Sequence, residues 1–170
     1  MTDFAAPSKT LLVVYHSLTG ATAQMAAAVV RGAVGEPAVT VRLLRAAEAG
    51  ADDLLAADGY VFATPENLAA ISGLMKDFFD RSYYGALDRI NGRPYASVIC
   101  AGSDGSNAAR QIARIATGWR LRAIAEPLIV CTHAQTAEAI LAAKTVPPAE
   151  LARGEELGAA FAGGLALGVF

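Results

Sequence analysis

Five runs of apolar residues recur along the chain, and the stretches between them carry apolar positions at helical spacing. Residues 10–15, 60–64 and 95–101 are apolar almost throughout, the pattern of strands buried on both faces. In residues 39–43, by contrast, Val39, Val41 and Leu43 alternate with Thr40 and Arg42, so this strand keeps a wetter face. A fifth run, 123–131, is interrupted by Pro127, which cannot donate to a ladder and therefore belongs at a sheet edge. Between these runs the spacing predicts helices over about 22–34, 52–57 and 106–117, the last stopped by Gly118. Ile71, Leu74, Met75, Phe78 and Phe79 predict a core-facing stripe on a further helix. A terminal helix is expected after Pro147-Pro148, with Leu151, Leu157, Phe161 and Leu165 inward.

Strands alternating with helices predict an α/β fold with a parallel sheet covered on both faces. Two edge-type and three central strands match the flavodoxin-like order 2-1-3-4-5, a three-layer arrangement. The 170 residues suit a single domain spanning 1–170, with no linker or internal repeat. In such a sheet ligands bind beyond the carboxyl ends of the strands. Here each central strand is followed by small and polar residues, at 16–22, 64–70 and 101–107, and the three loops should form one crevice.

Composition narrows the partners. Apolar residues make up 54% and charged residues 18%, which excludes a disordered chain, and the alanine bias suits closely packed helices. A formal charge of −2 gives no electrostatic reason to expect nucleic acid or an anionic membrane. No apolar run approaches the roughly 20 residues of a membrane span, and residues 1–9 lack the basic start and apolar core of a signal peptide. A cytoplasmic location is the resulting expectation. Cys100 and Cys131 sit in strand-like runs and are expected to be buried, inert thiols; no Cys/His spacing suggests a metal site.

The chemistry-bearing segment is Ser17-Leu18-Thr19-Gly20-Ala21-Thr22. It offers three hydroxyls and a glycine that lets the backbone approach an anion, and it opens directly into a helix whose free N–H groups favour phosphate. It contains no lysine or arginine and is neither a Walker A loop nor GxGxxG. A terminal monophosphate held by neutral donors fits it better than a triphosphate or a dinucleotide pyrophosphate.

Tyr15-His16-Ser17-Leu18-Thr19-Gly20-Ala21-Thr22 resembles the phosphate loop of flavodoxins and of flavodoxin-like NAD(P)H-dependent FMN and quinone reductases. Thr64-Pro65-Glu66-Asn67, with the following Ser72 to Arg81, is similar to the second flavin loop of the reductase branch. The resemblance implies FMN as cofactor, with Ser17, Thr19, Gly20, Ala21 and Thr22 on its phosphate. Pro65, Glu66, Asn67 and Leu68 would line the isoalloxazine ring, mostly through backbone groups. Ala101, Gly102, Ser103, Asp104 and Gly105 would contact its other edge. That third loop has no aromatic residue, unlike many electron-carrier flavodoxins.

FMN would carry the redox chemistry itself, so no acid–base or nucleophilic residue is required. Two functions remain: a reductase passing electrons from NAD(P)H to a quinone or similar acceptor, and a flavodoxin-type single-electron carrier between proteins. A near-neutral chain and a ring without stacked aromatics favour the reductase, which by resemblance would be a homo-oligomer. A response-regulator receiver is set aside, because His16 and Thr64 stand where it needs acidic residues. A flavin-free interaction module of the same fold remains a lesser alternative. His16 and His133 are open between structural and substrate-binding roles. Trp119 is expected to pack at a helix end, Tyr83 and Tyr84 at the surface or an interface, and Lys76, Asp77, Asp80 and Arg81 on a solvated face.

Overall fold

The computed structural model describes residues 8–170. Most of the N-terminal stretch read for a leader, residues 1–7, lies outside the described residues. Strand β1 (Lys9–Tyr15) sits between β2 (Val39–Arg45) and β3 (Gly59–Asn67), all parallel, and β3 pairs on its other side with β5 (Pro94–Ala101). Two short strands, β6 (Arg122–Ala123) and β7 (Leu128–Cys131), both run parallel to β5 along the far edge. The long strands thus follow the expected 2-1-3-4-5 order. The edge assignments hold for the stated reason: at Pro127 the fifth strand breaks, and residues 124–127 bulge between its two halves.

Helices cover both faces. Successive residues of a strand point to opposite sides, so Leu12 and Val14 join one core and Leu11 and Val13 the other. The first core lies under α2 (Ala51–Ala56), α3 (Gly73–Ala86) and α4 (Ser106–Gly118) and holds the aromatic residues Tyr60, Phe62, Phe78, Phe79 and Trp119. The second lies under α1 (Ala21–Ala33) and α6 (Pro148–Leu167), where Met25 and Val29 meet Phe161 and Ala162. The small residues have a specific use there. A Cβ on Gly32 would fall 1.9 Å from the Glu155 carbonyl oxygen, and one on Gly158 would fall 1.9 Å from that of Val29. The two helices touch backbone to backbone, closer than any side chain allows.

Several expectations need correction. The sheet has seven strands among the described residues, not five, because the fifth run is split into β6 and β7 and because β3 runs on to Asn67 and folds back antiparallel onto β4 (Ala70–Ile71). The segment expected to be a loop over 64–70 is therefore mostly a hairpin, turned by Leu68 and Ala69 at φ 50° and 60°. Ile71 is buried but belongs to β4, outside α3. Leu74 faces outward at 46% exposure, because the buried stripe of α3 runs through Met75, Phe78, Phe79 and Ser82 and leaves Leu74 off it. Gly118 ends α4 from within, with Trp119 as its cap. Trp119 is fully buried, donating Nε1–H to the Tyr83 carbonyl at 2.9 Å. Arg81 pairs with Asp77 on the exposed face, as read, but also donates to the Ala46 and Ala49 carbonyls and so ties α3 to the β2–α2 connection. A short helix, α5 (Ala137–Leu141), was not foreseen.

Candidate functional site

β1, β3 and β5 end side by side, and the segments that follow them line one crevice. Its wall brings together Ser17, Thr19, Ala21 and Thr22 from the first segment, Pro65, Glu66 and Asn67 from the second, and Ala101 and Gly102 from the third. Of the other residues singled out in sequence, Gly20 lines an adjoining cavity. Leu68 stands fully exposed at the hairpin tip, and Ser103 and Asp104 are exposed and off the crevice wall. Gly105 is buried beneath it at φ 83°, where a Cβ would meet Ile129 at 2.8 Å.

The first segment turns at Gly20, whose φ of 100° favours glycine and whose N–H donates to Ser17 Oγ at 3.2 Å. No side chain caps α1, so the amides of Ala21, Thr22 and Ala23 open toward the crevice without a helical partner. Thr22 is buried beside the thiol of Cys100, which burial pushes up to about 11. That value leaves Cys100 a protonated, inert wall at neutral pH, as its strand position predicted; Cys131 is half-buried.

The helix on the other side of the crevice is built differently. Glu66 accepts from the Gly105 and Ala108 amides, both at 3.0 Å, and so occupies the N-terminus of α4. The carboxylate binds the second segment to the third and leaves α1 as the open helix end. Removing it strands two amides, and an unpaired buried donor costs about 1–3 kcal/mol. Glu66→Ala is therefore expected to lower the unfolding free energy by about that amount in urea denaturation; a midpoint equal to wild type would contradict this reading.

Sequence reasoning missed a fourth wall. Thr132, Ala134, Ile140 and Lys144 border the crevice from the segment after β7. Gln24 holds this strap down: its Nε2 donates to the Gly20 and Lys144 carbonyls at 3.0 and 2.8 Å, and its Oε1 accepts from Val146 N–H at 3.0 Å. Lys144 N–H donates to the Thr19 carbonyl at 2.8 Å. The Lys144 ammonium caps α5, on the carbonyls of Ala139, Ile140 and Ala142, so the donors of the 17–22 loop remain uncharged. The available signal was topological: the segment after any parallel strand starts at the crevice edge. His133, left-handed at φ 58°, starts the same segment but is exposed and off the crevice wall. His16 lies beside the crevice with a buried, unpartnered Nδ1, and burial lowers its pKa.

Three layers, a 2-1-3-4-5 order and a crevice over an open helix N-terminus define a flavodoxin-like α/β protein. The fold matches that of a solved flavodoxin from the Archaea, with a TM-score of 0.72 at 18% identity over 91% of this chain and 96% of that one. The model of the family described as NADPH-dependent FMN reductase matches residues 44–136. The chain belongs to that family, and hence to the FMN-binding flavodoxin-like oxidoreductases. The matched range runs from the end of β2 through the second and third segments; the 17–22 loop lies ahead of it. Among named relatives, the chain is 41% identical over 70 residues to a flavodoxin of Aquifex aeolicus. It is 34% identical to an NAD(P)H dehydrogenase (quinone) of Acidithiobacillus ferrooxidans. These matches cover 41% and 42% of this chain and 38% and 46% of those proteins, less than half of either.

Proposed function

We propose that residues 1–170 act as one flavodoxin-like FMN-binding domain that passes electrons from NAD(P)H to a quinone or similar small acceptor, in a homo-oligomer. The observation that carries this reading is the contrast between two helix ends: α4 is capped by Glu66, while α1 opens uncapped onto three hydroxyls. That donor set suits a phosphate monoester. It combines aligned amides, a positive dipole end and small side chains, without the fixed cation a triphosphate demands. FMN, when bound, supplies the hydride and electron chemistry.

The chain's own residues do the rest. Gly20 allows the close turn, and Ser17 fixes it by accepting the Gly20 amide. Thr19 and Thr22 with the first-turn amides of α1 hold the ester oxygens, and Gln24 braces the loop from beneath. Pro65 to Asn67 and Ala101 to Gly102 lie side by side at the ends of the paired strands β3 and β5, offering backbone groups to the ring edges, while Glu66 binds the two segments together. No aromatic residue lines the crevice wall among the described residues, which leaves a ring face open to nicotinamide or an acceptor.

The likeness to a flavodoxin supports the second reading, a single-electron carrier. Anaerobic mixing of the purified yellow protein with NADPH or NADH separates the two. Rapid two-electron loss of the flavin absorbance is expected of the reductase; a spectrum unchanged until a reduced partner protein is added would contradict it and favour the carrier.

A further inference from the structure

A second cavity, of about 340 Å³, lies on the β2 side of the phosphate loop and shares only Ser17 and Leu18 with the crevice. Its volume falls at the lower end of the roughly 300–1,000 Å³ of small-molecule sites. Tyr15 and Ser17 line it, and two further polar side chains reach it. Arg45, the last residue of β2, is exposed and has neither an ion pair nor a side-chain hydrogen bond among the described residues. Arg31, Arg42, Arg81 and Arg153 are held by Glu155, Asp53, Asp77 and Glu150, whereas Arg89, Arg114 and Arg122 share with Arg45 the lack of such a partner among the described residues. His16 is the second. Its Nδ1 is closed off without a partner, and a buried lone pair is tolerated better than a buried N–H. The proton therefore belongs on Nε2, leaving that edge as a donor. Beside Tyr15 and Ser17, the rest of the wall is Gly20, Ala23, Ala46, Ala47 and two leucines, Leu18 and Leu74. The outward Leu74, which the core does not use, thus gains a surface to serve.

A cation, a neutral donor and two leucines select an anionic group attached to a flat apolar body. We propose that this cavity binds the adenosine 2′-phosphate end of NADPH, with Arg45 on the phosphate and the adenine against Leu18 and Leu74. The proposal rests on the functional reading above, within a family described as NADPH-dependent, and makes Arg45 the residue that separates NADPH from NADH. A guanidinium matches phosphate oxygens in a bidentate fork, whereas the 2′-hydroxyl of NADH gives it no charge to pair.

The test uses FMN-loaded protein, titrated calorimetrically with 2′,5′-ADP, 5′-ADP and inorganic phosphate, with the His16 ring signals followed by NMR. Wild type is expected to bind 2′,5′-ADP at least tenfold more tightly than either other probe and to shift the His16 signals. Arg45→Gln should erase the difference with FMN affinity and melting temperature unchanged, and Arg45→Lys should restore part of it. Equal binding of 2′,5′-ADP and 5′-ADP, or a preference that survives Arg45→Gln, would overturn the proposal. Inorganic phosphate binding as tightly as 2′,5′-ADP would also overturn it, by showing a site for free phosphate alone. Failure of the chain to take up FMN is a different result, which strikes the functional reading and is seen before any nucleotide is added.

Discussion

Replacing Gly158 by alanine is expected to lower the melting temperature by about 6–12 °C, taking a loss of about 3 kcal/mol and about 2–4 °C per kcal/mol for a chain of this size. The direction is opposite to the usual one. In an exposed helix interior alanine is better than glycine by about 1 kcal/mol. Here the added Cβ would sit 1.9 Å from the Val29 carbonyl oxygen, 2.8 Å from its carbonyl carbon and 3.0 Å from the Ala33 nitrogen. These are backbone atoms of α1, which cannot rotate away as a side chain tip does. Relief requires α6 to lift off α1, opening the core around Met25, Val29 and Phe161, which are all fully buried. Differential scanning calorimetry decides it. An unchanged or raised melting temperature would mean that the helices are not in backbone contact at Gly158.

The second large effect falls on ligand affinity. Thr19→Ala combined with Thr22→Ala should weaken FMN binding by at least about a hundredfold, since a hydrogen bond to a charged group contributes about 1.5–3 kcal/mol and each 1.4 kcal/mol is a factor of ten. Two controls separate this from general damage. Thermal melting of the apoprotein monitors the packing around Thr22, which is only 1% exposed. Riboflavin, which lacks the ester, should bind the variant and the wild type alike. An FMN dissociation constant that moves less than threefold would show that these hydroxyls do not hold the phosphate.

The sheet was legible because burial writes itself directly into a strand. Strands covered on both faces leave unbroken apolar runs, as in β1 and β5, and edge strands alternate or break, as β2 does by pattern and the fifth strand does at Pro127. The turn over 17–22 was legible for a related reason: a glycine among hydroxyls at a strand-to-helix junction marks a tight turn into an open helix start. What stayed hidden depends on contacts far apart in sequence. Glu66 looks like a turn residue until α4, about 40 positions later, is seen to lay two amides on it. Gln24 looks like an exposed helix residue until the strap around Lys144 and Val146 folds over it. Leu74 satisfied the helical spacing yet faces outward, because the stripe that meets the core is centred on Met75, Phe78, Phe79 and Ser82, and spacing alone does not tell how wide that stripe is. Of the α1–α6 contact only the alanine bias showed, and Gly32 and Gly158 went unread; backbone contact between two helices has no local signature beyond small residues.

The central claim is that the uncapped amino end of α1 and its hydroxyls hold the phosphate ester of FMN. Its most direct test is a titration of the wild-type apoprotein with FMN and, separately, with riboflavin, followed by quenching of flavin fluorescence. One FMN per chain, bound at least about a hundredfold more tightly than riboflavin, is the result predicted from two or more charge-assisted hydrogen bonds to the phosphate. Equal affinity for the two flavins, or no uptake of either, would contradict it.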